Sequence, residues 1–157
     1  MTDAELRDAL AQYRAGLDTQ LALLDQLAAV AARQRSGSTR RDYEQLGEEG
    51  EERDRLTHAL VAVEHGLQPL RARLAAARER AVGVPGYGDV VALRQRAADL
   101  VAQILRTDEE SIQALADAEL ARRAAVASLE QGETTLAAYR RVLSPALGQA
   151  SLVDRRG

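Results

Sequence analysis

The 157-residue chain has no cysteine, phenylalanine, tryptophan or lysine, and only three prolines. Without cysteine, disulfides and thiolate chemistry are excluded, which fits a reducing compartment. Without Phe and Trp, four Tyr supply all the aromatic content, and the apolar 46% is mostly Leu, Ala and Val. Strand-favouring β-branched and aromatic residues are therefore sparse, and the strong helix formers dominate. Without lysine, all 21 basic residues are Arg. A codon bias accounts for that, with selection for bidentate anion contacts as the alternative. The net charge of −3 gives no general pull toward nucleic acid. No long hydrophobic run is present: the most apolar stretch, residues 21–32, is interrupted by Asp25 and Gln26 and is too short to span a bilayer, so no membrane insertion is expected. Met1-Thr-Asp-Ala-Glu is acidic where a signal peptide is basic, so a cytoplasmic location is expected.

What is present is an aliphatic stripe. Over residues 53–81 it runs through Leu56, Leu60, Val63, Leu67, Leu70, Leu74, Ala77 and Ala81, in alternating steps of four and three. That spacing is the seam of a coiled coil. A helix with such a face needs partners, and the flanking segments carry matching stripes. The first reads Leu6, Leu10, Tyr13, Leu17, Leu21 or Gln20, Leu24, Leu27 and Ala31. The sequence thus predicts an all-α fold, an elongated antiparallel three-helix bundle or coiled-coil hairpin with a long C-terminal helix. It is read as one domain, residues 1–146, with helices over about 3–35, 40–81 and 89–143.

The boundaries follow from local chemistry. Thr2 or Asp3 caps the first helix, and Ser36-Gly37-Ser38 supplies the turn after it. The second starts near Thr39 or Asp42, and Gly47, Gly50 and the acidic run Glu48 to Glu52 weaken its opening turns. Gly66 and Pro69 predict a bend near His65 within one continuous helix. Three Gly and one Pro in residues 83–88 mark a loop, and Asp89 caps the third helix until Ser144-Pro145 stops it. In that helix polar residues break the stripe at Thr107 to Ser111 and around Glu119 to Arg123. The tail, residues 147–157, is expected to be poorly ordered.

At about 1.5 Å per residue, the second and third helices span roughly 60 and 80 Å. An antiparallel pair then leaves residues 131–143 of the third uncovered. An apolar patch there is a binding surface, unless Gly132 breaks the helix and folds the segment back.

Candidate chemistry is thin. His58 and His65, with Asp54 a turn before His58, share a helix face, but they span two turns and lack the HExxH or ExxH spacing. Solvated histidines are the expectation, with no cofactor. Residues 48–52 lack calcium-loop spacing and read as a solvated face. Arg71, Arg73, Arg78 and Arg80, with Arg33, Arg35, Arg40 and Arg41, lack the interleaved aromatics of a nucleic-acid surface, and Glu79 and Asp42 dilute them. Gly86-Tyr-Gly88 lacks the strand and Lys-Ser/Thr of a phosphate loop. With no Ser, His and carboxylate set in a plausible pocket, an enzyme is not expected.

Several pieces, in this linear order, resemble the FlgN-type flagellar export chaperones. They are Leu21-Ala-Leu-Leu24-Asp-Gln-Leu27, Asp42-Tyr-Glu-Gln-Leu46, Glu52-Arg53-Asp-Arg-Leu56, Leu67-Gln-Pro-Leu70, Ala138-Tyr139-Arg140 and Val153-Asp154-Arg155-Arg156-Gly157. The resemblance covers most of the chain. It implies a cytoplasmic chaperone that holds the C-terminal amphipathic helix of hook-associated filament-junction proteins and delivers them to the export gate. An amphipathic helix in a groove is compatible with the stripe. Val126, Leu129, Leu136, Tyr139, Val142 and Leu143 are the expected groove residues, with Tyr139, the single aromatic of the predicted third helix, as anchor. A homodimer burying the same patch, and an adaptor in another assembly, are the alternatives.

Overall fold

The computed structural model describes the backbone of residues 1–147 and the side chains of residues 1–141. The described elements are four helices: α1 (Asp3–Arg40), α2 (Tyr43–Ala76), a single turn α3 (Arg78–Ala81) and α4 (Tyr87–Leu147). The protein is an all-α helical bundle. It divides into two compact units, Met1–Leu115 and Ala116–Gly157, so α4 contributes to both.

In the first unit, α1 supplies most of the core. Leu6, Leu10, Tyr13, Leu17, Leu21, Leu24, Leu27 and Ala31 are all buried, joined by Ala9 and Val30. These are the residues of the expected stripe. From α2 the deepest are Leu56, Leu67 and Leu74, with Leu60, Val63 and Leu70 half-buried. From α4 come Val90, Ala97, Ile104 and Ser111, spaced by seven, with Leu93, Leu100 and Thr107 half-buried between them. The period of 3.5 keeps one narrow stripe of each helix on the shared seam.

This seam corrects the expected break at Thr107 to Ser111. Ser111 donates its hydroxyl to the Thr107 carbonyl at 3.2 Å. The helix's own backbone thus satisfies the buried oxygen, and a small polar residue serves as a seam position. Val101 and Ile112, aliphatic by type, lie off the seam and are exposed.

The caps of α1 and α2 fall on expected residues, Thr2 and Asp42, while the turn between the helices does not fall where expected. At the start of α1, Thr2 accepts from the Glu5 amide at 3.2 Å while Glu5 accepts from the Thr2 amide at 2.6 Å, a capping box. Ser36-Gly37-Ser38 is not the turn. It continues α1, because these small residues let α2 come close: a Cβ on Gly37 would sit 3.3 Å from Leu46 Cδ2. The chain reverses instead at Arg41, left-handed at φ 59°, where the Asp42 amide reaches back to the Gly37 carbonyl at 2.9 Å. Asp42 then caps α2 by accepting from the Gln45 amide at 3.1 Å.

The opening of α2 is helical despite Gly47 and Gly50, and the helix runs through Gly66 and Pro69. It is interrupted at Ala77 (φ −107°, ψ 24°), so the single helix expected to reach residue 81 is two pieces. No breaker residue stands there. Packing decides the break, since Ala81 is fully buried and Val84 is half-buried against the same core. Gly86 takes a positive φ of 94° at the end of the loop. α4 starts at Tyr87, ahead of the expected cap at Asp89. Asp89 lies in the first turn and pairs with Arg14 at 3.1 Å. At the far end α4 passes Gly132 without a break and passes the expected stop at Ser144-Pro145, being helical through Leu147, the last residue whose backbone is described. The remainder of the predicted tail, residues 148–157, lies outside the described residues.

Polar pairs fix direction and register. Between α1 and α2, Arg33 meets Glu49, Gln20 meets Glu64 and Tyr13 meets Arg71, so numbers fall on one helix as they rise on the other. The two run antiparallel. Between α1 and α4, Arg14 pairs with Asp89 and Arg35 with Glu110, both 75 residues apart, so these run parallel.

Two glycines separate packing from propensity. A Cβ on Gly16 would lie 2.3 Å from Cδ2 of the buried Leu67, whereas one on Gly47 meets nothing within 4 Å. Gly16→Ala should therefore lower stability in urea denaturation, because overpacking of about 1–3 kcal/mol outweighs a helix-propensity gain of about 1 kcal/mol. Gly47→Ala should raise it by about 0.5–1 kcal/mol.

Candidate functional site

The second unit consists, among its described residues, of the α4 helix alone. A single helix cannot bury its own apolar stripe. Leu129 and Leu136 are seven apart and Tyr139 is three further on, which places them on one side of the helix. They are 72%, 64% and 61% exposed, and Val126, three residues before Leu129, is 41% exposed. Four of the six expected groove residues are thus brought onto one helical face. The side chains of Val142 and Leu143 lie outside the described residues.

Charge bounds this face at its N-terminal side. Arg122 and Arg123 both donate to Glu119, at 2.8 and 3.0 Å. Hydrogen bonding from Arg122 is the main reason that the Glu119 carboxyl titrates down at about 2, and Arg123 adds to it.

In Met1–Leu115 several arginines act as ties between elements. The expectation of a solvated acidic run is corrected at Glu49, which accepts from Arg33 at 2.8 Å and is largely shielded. Arg80 is held by Asp3 and by the Met1 carbonyl. Arg71 grips Glu64 with two nitrogens, at 2.6 and 3.0 Å. This contact holds the Glu64 carboxyl below its ordinary range. Arg53 of α2 reaches both α1 and α4. Its guanidinium donates to both Asp108 oxygens, at 2.6 and 2.5 Å, and to Gln34 at 2.8 Å. Hydrogen bonding to Asp108 raises its pKa further.

The histidines form no cluster. The His58 ring is engaged by the Asp54 carbonyl at 2.7 Å, and His58 and His65 are both exposed. Among the described residues no group of three or more His, Cys, Asp or Glu is placed to hold a metal. No helix among them is long and apolar enough to cross a membrane.

Sequence reasoning missed two concavities of the first unit. A shallow apolar groove of about 370 Å³ is lined by Leu60, Val61, Ala97 and Val101, among others. A deeper cleft of about 470 Å³ has Tyr13, Leu74, Arg78 and Arg94 in its walls. The signal for the first was present, since Val61 and Val101 are valines beside the stripe rather than on it. For the second there was none, because its walls come from segments far apart in the chain.

Comparison with protein-family models, with curated proteins and with solved structures finds no match to this chain.

Two measurements follow from the ion pairs. A double-mutant cycle on Arg53→Ala and Asp108→Ala should return a coupling of about 1 kcal/mol, above the few tenths of an ordinary surface pair, because both charges are partly shielded. Glu64, with its pKa depressed, contributes stability that is fully present above its unfolded value and is lost as pH falls through the folded one. Melting temperatures from pH 7 down to 3 should therefore fall most steeply below about 4.3, and Glu64→Gln should flatten part of that slope while leaving the Asp3 and Glu5 contributions.

Proposed function

We propose that the protein captures an amphipathic helix of another protein, the role of a FlgN-type export chaperone. It holds the C-terminal helices of hook-associated proteins in the cytoplasm and hands them to the flagellar export gate. The observation that carries this reading is the exposed apolar face of Leu129, Leu136 and Tyr139 on a helix with no second element among the described residues of its own unit. Leu and Tyr repeated at three- and seven-residue spacing match the i, i+3, i+4, i+7 anchors of a partner helix. The sequence resemblance supplies the identity of that partner.

The physical roles divide cleanly. Leu129 and Leu136 offer aliphatic surface that a partner's apolar stripe covers. Tyr139 adds a large, rigid ring with a hydroxyl that stays wet at the rim, the type of residue that anchors interfaces. The Arg122–Glu119–Arg123 group is internally paired with one cation in excess, so it borders the face with a weak preference for a partner's acidic residues.

The test is calorimetric titration with synthetic peptides of hook-associated protein C-termini. Tyr139→Asp should weaken binding by about thirtyfold or more, an anchor residue being worth at least 2 kcal/mol, while helical content and melting temperature stay unchanged. An unaltered affinity would sink the assignment. Light scattering over a concentration series separates a second copy of this chain as occupant: capture predicts a monomer that gains one peptide, and a dimer that excludes peptide overturns it.

A further inference from the structure

We propose that the 470 Å³ cleft within Met1–Leu115 binds a small amphiphilic anion, a carboxylate or phosphate carried on an apolar body. The volume falls in the range of about 300–1,000 Å³ typical of small-molecule sites. Its floor is aliphatic, with Leu10 from α1, Leu74 from α2 and Val90 from α4.

The polar part of the lining is one-signed. Arg71, Arg78 and Arg94 line the cleft and no carboxylate does, in a chain where acids outnumber bases, 24 to 21. Arg71 is already neutralised by Glu64. The guanidinium groups of Arg78 and Arg94 have no ion pair or hydrogen-bond partner among the described residues, unlike Arg14, Arg33, Arg35, Arg53 and Arg80 of the same unit. Two free planar cations above an apolar floor suit a carboxylate or phosphate headgroup, which each can meet with two donors.

Tyr13 supplies an independent pointer. It is only 3% exposed, and its oxygen accepts from Arg71 Nε at 3.4 Å. Its own proton finds no acceptor among the described residues. A buried hydroxyl fixed in this way is a donor waiting for an oxygen in the cleft. The apolar body then lies along Leu10, Leu74 and Val90, and the headgroup takes Tyr13 and the two arginines.

Isothermal titration of the full chain with sub-micellar decanoate and decyl phosphate tests this. Saturable, sub-millimolar binding of at least one is expected, and the tighter of the two identifies the headgroup. Decanol, acetate and inorganic phosphate should each bind at least tenfold more weakly. The double variant Arg78→Gln, Arg94→Gln breaks no ion pair of the fold and should lose tenfold or more in affinity at unchanged melting temperature. Tyr13→Phe should lose several-fold. Methyl resonances of Leu74 and Val90 should shift on titration of the unaltered protein, whatever the variants do. Absence of heat, equal binding of decanol, an unaffected double variant, or shifts confined to Leu129 and Leu136 would each overturn the proposal. None of these outcomes bears on peptide capture by the second unit.

Discussion

The seven-residue spacing of buried aliphatic side chains is the constraint on which the bundle depends. Each fully buried Leu removes enough apolar surface from water to contribute about 1.5–3 kcal/mol, and α1 alone places six of its Leu residues and Tyr13 on the seam. With no Phe or Trp to fill wide gaps, the helices must approach closely. That explains why small residues sit where they do. Gly16 admits Leu67, Gly37 admits Leu46, and Ser111 keeps the seam of α4 narrow beside Thr107. Bulk on α2 is met by absence of bulk on α1, and exchanging the two would leave both a clash and a void.

Aliphatic packing is nearly blind to sliding by one heptad, since Leu meets Leu again after seven residues. The polar pairs remove that ambiguity. Arg53, forked onto Asp108 and touching Gln34, has a fitting partner at one level only. Arg14 and Arg35 repeat the same 75-residue offset at two points along α4. An all-arginine set of cations suits this task, because a planar guanidinium holds two oxygens at once where an ammonium holds one. Arg78 and Arg94 are informative for a different reason: they stand unpaired together above one apolar floor, with no carboxylate in the lining.

Much of this was legible in the chain itself, and the errors have identifiable causes. The α1 stripe was read residue by residue because a strict four-three pattern has only one helical face. The α4 stripe was misread because apolar type was used as a proxy for burial. Val101 and Ile112 are aliphatic yet lie off the seam, and Thr107 and Ser111, expected as breaks, lie on it, so position relative to the heptad decides the matter. Ser36-Gly37-Ser38 looked like a turn by composition, yet the same smallness that favours turns also permits close helix approach. Val126, Leu129, Leu136 and Tyr139 were found on one exposed face because side-chain direction along a single helix is fixed by spacing alone. The cleft was invisible because Tyr13, Arg71 and Arg94 are brought to one place by folding and by nothing local.

The amino-acid sequence by itself determined that the chain is helical, which stripes α1 and α2 turn inward, and which face of the last helix carries surplus apolar surface. These are consequences of propensity and of 3.6-residue periodicity, both local properties. Only the tertiary structure decided the reversal at Arg41, the break at Ala77, and which arginines are consumed in ion pairs and which are left free. Those depend on distances between residues tens of positions apart, and local spacing does not encode them.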